Sequence, residues 1–126
     1  MKKENPNLTA EQKDVLFNKA TEAPFSGKYL DYQEDGIYVC ANCKNPIFSS
    51  DTKFNSHCGW PSFDRAIKDS TKIVTDESYG MVREEVICTN CGGHLGHVFD
   101  DGPKETTGQR YCINSLSLGF KEAKSE

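Results

Sequence analysis

The chain has 126 residues and a formal net charge of −4, from 15 Lys plus Arg against 19 Asp plus Glu. That length supports one hydrophobic core, so a single domain over residues 1–126 is expected, and the acidic balance argues against a nucleic-acid partner. No run approaches the ~18 apolar residues that a membrane span needs, and MKKENPNLTA carries no apolar stretch behind its lysines, so a cytoplasmic location is expected rather than export or a membrane.

In chain order, Thr9 and Gln12 have the spacing of a capping box, and Val15, Leu16 and Ala20 can share one helical face, which predicts a short helix over 9–20. Pro24, Gly27 and Gly36 punctuate the stretch that follows. Ile37 to Val39 is a β-branched and aromatic run that leads into Cys40, and Ile47-Phe48 follows the turn CANCKNP. Met81-Val82 and Val86-Ile87 lead into Cys88 in the same way. Leu95, Val98 and Phe99 predict another strand, Tyr111 to Phe120 the longest one, and 121–126 a charged tail. The reading is mainly β with little helix.

Six cysteines, at 40, 43, 58, 88, 91 and 112, need an explanation in a chain this short. Three disulfides would suit an oxidising compartment, whereas in a reducing cytosol metal or redox roles take over. Cys40-Ala-Asn-Cys43 and Cys88-Thr-Asn-Cys91 present two sulfurs each from a tight turn that closes a strand. Zn²⁺ takes four soft ligands in a tetrahedron, and a closed Cys₄ set leaves no open position, so a structural zinc is expected. The ion would staple hairpins separated by residues 44–87. A redox dithiol of the thioredoxin type is the rival, and it needs a βαβ context that the sequence lacks.

Cys58 sits in the turn His57-Cys58-Gly59-Trp60-Pro61, and Cys112 in Arg110-Tyr111-Cys112-Ile113-Asn114. On an extended segment Arg110, Cys112 and Asn114 project from one face. A fixed positive charge beside a thiol favours its thiolate, and Asn114 could hydrogen-bond whatever Cys112 attacks. A buried, inert Cys112 is the alternative. His94 and His97 would face opposite sides of a regular strand, and Gly96 allows a bulge that re-aims one of them. Either could donate a proton near neutral pH or ligate a metal. His57 reads as a solvated loop residue, and Trp60 as core packing or a substrate-facing ring.

Taken together, CANC (40–43), SHCGWPSF (56–63), CTNC (88–91), HLGHVFDDGP (94–103) and RYCINS (110–115) resemble the methionine-R-sulfoxide reductase family, in the family's order and over about residues 8–121. The resemblance implies two antiparallel sheets in a tent-like, zinc-stapled fold with a short N-terminal helix. It implies reduction of the R epimer of methionine sulfoxide, in proteins or free, with electrons from thioredoxin. It makes Cys112 the nucleophile with Arg110 and Asn114 beside it, and Cys58 the resolving thiol. His97 becomes the proton donor, His94 and Phe99 line the site, and Trp60 is the platform for the substrate methyl group. Cys40, Cys43, Cys88 and Cys91 become the ligands of one structural zinc, and His57 stands where the family often has glycine. A monomer is the default expectation. A zinc-stabilised thiol redox sensor and a partner-binding zinc module are the rival functions, and neither would turn over a sulfoxide.

Overall fold

The computed structural model describes residues 5–77 and 80–122. Helix α1 spans Ala10–Asn18; Thr9 accepts from the Gln12 amide while the Gln12 side chain accepts from the Thr9 amide. Such a cap contributes about 1 kcal/mol. Lys19, at φ 60°, ends the helix in the left-handed conformation, so Ala20 lies beyond it. Val15 and Leu16 are buried, and the helix lies over β7 and the turn after β8.

Among the described residues nine strands follow: β1 (Gly36–Cys40), β2 (Pro46–Ser49), β3 (Lys53–Phe54), β4 (Ser62–Phe63), β5 (Thr71–Asp76), β6 (Arg83–Cys88), β7 (His94–Phe99), β8 (Arg110–Ile113) and β9 (Leu118–Glu122). They form two antiparallel sheets, one ordered β2-β1-β9 and the other β3-β4-β8-β7-β6-β5. The fold is mainly β with one short helix, as expected. Each CxxC turn closes a strand, Cys40 ending β1 and Cys88 ending β6.

Aromatic rings join the two sheets. Phe63 of β4 stacks on Phe48 of β2 at 4.2 Å and meets Tyr38 of β1 edge-on at 5.2 Å. Tyr111 of β8 meets Phe48 at 5.6 Å. Each such pair adds about 0.5–1.5 kcal/mol beyond the area it buries.

Three expectations are corrected. The long strand from Tyr111 to Phe120 is two strands in different sheets, β8 and β9, separated by a 3-10 turn at Ser115–Ser117. The break follows from the polar residues in that run. The Asn114 carbonyl accepts from the Ser117 amide, and the Ser117 hydroxyl donates to the His94 carbonyl, so backbone groups that would continue a ladder turn back instead. Met81 and Val82 precede β6 rather than join it, and both are exposed. β5, an edge strand whose apolar residues are interleaved with Thr, Lys and Asp, was absent from the sequence reading. Of the predicted charged tail, 121 and 122 belong to β9 and 123–126 lie outside the described residues.

Candidate active site

The Sγ atoms of Cys40, Cys43, Cys88 and Cys91 lie within 4.8 Å of one another. Cys40 and Cys91 approach to 3.7 Å, and Cys43 and Cys88 to 3.5 Å. A tetrahedron with Zn–S bonds of about 2.3 Å has edges of about 3.8 Å, so the sulfurs are spaced for that ion. Without an ion the four thiols share protons among themselves. Hydrogen bonds from Cys40 and Cys88 hold the Cys91 thiol far below its usual range, while sharing with Cys88 and Cys91 pushes Cys40 far above it. Cys88, lowered by its bond with Cys40, is raised more by Cys91 and burial, to about 11. Four thiolates packed this closely require a soft divalent cation. The residues fit one zinc. When bound, it supplies cross-linking between the ends of β1 and β6 and no open coordination position. Neither His94 nor His97 belongs to this cluster.

On the six-stranded sheet a cleft of about 240 Å³ contains Cys58, Trp60, His97, Phe99 and Cys112 in its lining. That is below the ~300–1,000 Å³ of sites for drug-sized ligands and suits a single side chain. Arg110 and Asn114 also line it, so the face expected for Arg110, Cys112 and Asn114 is the cleft face.

β8 runs between β4 and β7, which sets Cys112 opposite Ser62 on one side and His97 on the other. Residues directly opposite on neighbouring strands share a face, so Cys112 and His97 point to the same side. The bulge expected at Gly96 is present: the β6–β7 register shifts there, leaving Leu95 unpaired between Gly96 and His94. It turns His94 and His97 to one side, their rings 5.4 Å apart. A Cβ on Gly96 would lie 2.1 Å from the Cys112 carbonyl, so only glycine allows the backbones this close.

The two histidines are held differently. His97 lines the cleft and bonds Asp76 Oδ2 through Nε2 at 2.8 Å. His94 is buried behind it, with Nδ1 2.7 Å from Glu85 Oε2. Burial pushes the His94 imidazole down, and the Glu85 carboxylate only partly offsets this. Lys19 Nζ spans both carboxylates, 3.5 Å from Asp76 and 3.3 Å from Glu85, and Arg83 reaches Asp76 at 3.5 Å.

Cys58 and Cys112 lie 3.5 Å apart, sulfur to sulfur. Burial raises the Cys58 thiol, but Ser56 at 3.0 Å, Ser62 at 3.4 Å and the neighbouring Cys112 outweigh it and bring the thiol down to about 7. Burial and the charge on Cys58 push Cys112 well above the usual thiol range, against the opposing pull of Arg110. Arg110 acts in the direction expected from the sequence, and burial outweighs it. The guanidinium is paired with Asp101 at 2.8 and 3.1 Å and stacked 4.5 Å over Phe99. The two neighbouring thiols are thus shifted in opposite directions, Cys58 down and Cys112 up. Asn114 is also more committed than expected: its carbonyl accepts from the Glu22 amide at 3.1 Å and its amide donates to Leu95 O at 3.1 Å, leaving one N–H for the cleft. His57 takes a left-handed φ of 62°, a conformation that glycine adopts without cost.

Several residues here were absent from the sequence reading. Asp76 and Glu85 are buried carboxylates on strands, and acidic residues at inward positions of strand patterns are the signal that could have found them. Thr21 and Arg83 line the cleft, and Glu22 contacts Trp60 and Asn114; nothing in their local sequence marks them.

The fold is shared with a remote neighbour, the crystal structure of the Mis18 "Yippee-like" domain, at a TM-score of 0.57 and 18% identity, covering 73% of this chain and all of that one. Closer similarity runs along the sequence. A protein of Methanosarcina mazei called peptide methionine sulfoxide reductase MsrB is 60% identical over 114 residues, 90% of this chain and 81% of its own length. One of the same name from Herminiimonas arsenicoxydans is 57% identical, over 90% of this chain and 82% of its own. The SelR domain model matches residues 8–122, a span that includes both cysteine knuckles, the cleft and the helix over it, and the chain belongs to that family.

Proposed function

We propose that this protein reduces the R epimer of methionine sulfoxide to methionine, in oxidised proteins and as the free amino acid. The observation that carries the reading is one juxtaposition. Cys112 and His97 are cross-strand partners facing one cleft, and a second thiol stands 3.5 Å from Cys112. The MsrB name of its relatives supports the same reaction class.

Proton transfer from Cys112 to Cys58 across the sulfur–sulfur contact forms the Cys112 thiolate. That thiolate attacks the sulfoxide sulfur while the His97 imidazolium protonates the oxygen. In the resulting S–S adduct the protonated oxygen passes from the substrate sulfur to Cys112 Sγ as the S–S and substrate S–O bonds break, so methionine leaves reduced by two electrons and Cys112 is left as a sulfenic acid. Trp60 and Phe99 form the apolar wall for the methyl group. Cys58 then attacks the sulfenic sulfur, a Cys58–Cys112 disulfide forms, and the hydroxyl leaves as water with the proton Cys58 had taken up. His97 regains its proton from solvent. A dithiol reductant, thioredoxin in this reading, opens the disulfide by thiol exchange and resets both cysteines. The chain acts as a monomer in the cytoplasm, a compartment that suits its six unbridged cysteines. No helix among the described residues is long and apolar enough to cross a membrane.

One observation favours a second order of events. Cys58 has the lower thiol, so Cys58 could attack first and Cys112 resolve. The cross-strand position of His97 favours Cys112, because the proton donor and the nucleophile must reach the same S–O group. Incubation with separated sulfoxide epimers and dithiothreitol tests the function: the R epimer is consumed and the S epimer remains. Loss of the S epimer, or no turnover, would refute it.

A further inference from the structure

Three separate contacts converge on Glu22, a residue in the loop between α1 and β1. Its carbonyl accepts from the Trp60 indole N–H at 3.0 Å. Its amide donates to Asn114 Oδ1 at 3.1 Å. Its carboxylate Oε1 accepts from the Leu116 amide, in the turn after β8, at 3.0 Å. The residue is only 7% exposed, and Oε2 is buried with no hydrogen-bond partner among the described residues. Space is kept for that carboxylate by Gly27, where a Cβ would lie 2.4 Å from Oε2. A buried carboxylate with one oxygen unsatisfied is costly, so its remaining contact, to the Leu116 amide, is the one that ties the loop down.

We infer that Glu22 is a positioning residue for the substrate wall: its carboxylate, moored on Leu116, fixes the backbone that holds Trp60 and Asn114 against the cleft. The inference rests on the reading of Trp60 as the wall that receives the substrate methyl group. Backbone atoms of Glu22 touch the two cleft residues, and the side chain determines where that backbone lies. One carboxylate therefore couples the loop after the helix to both β8 and the Cys58–Trp60 turn.

Trp60 is the only tryptophan in the chain, so its fluorescence reports this wall directly. In Glu22→Ala, Trp60 emission shifts to the red and becomes more accessible to acrylamide. KM for an R-sulfoxide peptide rises about two- to tenfold, the range that loss of one hydrogen bond implies, with a much smaller change in kcat. Glu22→Gln keeps an accepting oxygen for the Leu116 amide and restores both readouts. A folded, zinc-replete Glu22→Ala protein with native emission overturns the mooring, and one with shifted emission but native KM overturns the positioning role. Should Glu22→Ala not fold, Glu22→Asp decides: it keeps the charge but is one methylene short of Leu116, so shifted emission and raised KM uphold the inference and native values overturn it. Trp60→Phe separates the two readings, since an unchanged KM there removes the substrate wall itself, whatever Glu22 does to the emission.

Discussion

Against burial, the hydroxyls of Ser56 and Ser62 are the largest of the contacts that bring Cys58 down to about 7, and removing both tests how the second chemical step is driven. In the double variant Ser56→Ala, Ser62→Ala the thiol rises, and a full return to the ordinary value of 9.0 sets the scale of the effect. At pH 7 the thiolate fraction then falls from about a half to about 1%, some 50-fold. The more basic thiolate is intrinsically more nucleophilic. A Brønsted coefficient of about 0.4–0.5 over two pH units gives back roughly 6–10-fold. Disulfide formation at pH 7 is therefore expected to slow by about 5–8-fold. The sign reverses at high pH. Above about pH 9 both proteins are ionised and the double variant is faster, so the two profiles cross near pH 8. The assay forms the Cys112 sulfenic acid with saturating R-sulfoxide and follows its decay between pH 6 and 10, by dimedone trapping and mass spectrometry. A folded double variant with the wild-type profile, or one slowed equally at every pH, would refute the role given to the two hydroxyls.

Cys112→Ser should abolish sulfoxide reduction with any reductant, because a hydroxyl is a far weaker nucleophile than a thiolate. Cys58→Ser should still release about one methionine per enzyme, with dithiothreitol but not thioredoxin supporting turnover, and with its burst rate rising more steeply with pH because Cys112 has lost its proton acceptor; inactive Cys58→Ser beside active Cys112→Ser would reverse the two roles. His97→Asn should lower the single-turnover rate by about 10²–10⁴, and His94→Asn, whose ring is buried behind the cleft, by less; a normal rate in His97→Asn would remove it from proton transfer. Replacing Cys88, or stripping the metal with a chelator, should unfold the protein, given the ~10–16 kcal/mol of apparent zinc binding in small zinc peptides; a metal-free protein with native circular dichroism would show that the four cysteines do not need the ion.

How far the site was legible in the chain varies with the range of the interaction. The zinc set was readable because a CxxC turn brings its two sulfurs together locally; only the meeting of the two turns is tertiary, and four thiols admit few other uses. The capping box at Thr9 is likewise a contact over three residues. The Gly96 bulge was legible as a possibility, since glycine weakens a strand wherever it stands. What makes it necessary, the Cys112 carbonyl at 2.1 Å from where a Cβ would be, belongs to the neighbouring strand.

The sequence by itself determined the mainly β class, the cysteine knuckles and the residue types gathered at the cleft, because spacing and side-chain chemistry are properties of short stretches. The surroundings of the titrating groups come from the folded chain. Arg110 stands two residues from Cys112, and only the folded chain reveals that its guanidinium is paired with Asp101. Against its burial Cys58 is lowered by two serine hydroxyls distant from the sheet's histidines in the chain, while burial raises Cys112. The carboxylates behind the histidines come from β5 and β6, and Glu22 reaches Leu116 from 94 residues away. A thiol or imidazole titrates according to everything within a few ångströms, and most of what surrounds these groups is distant in the chain.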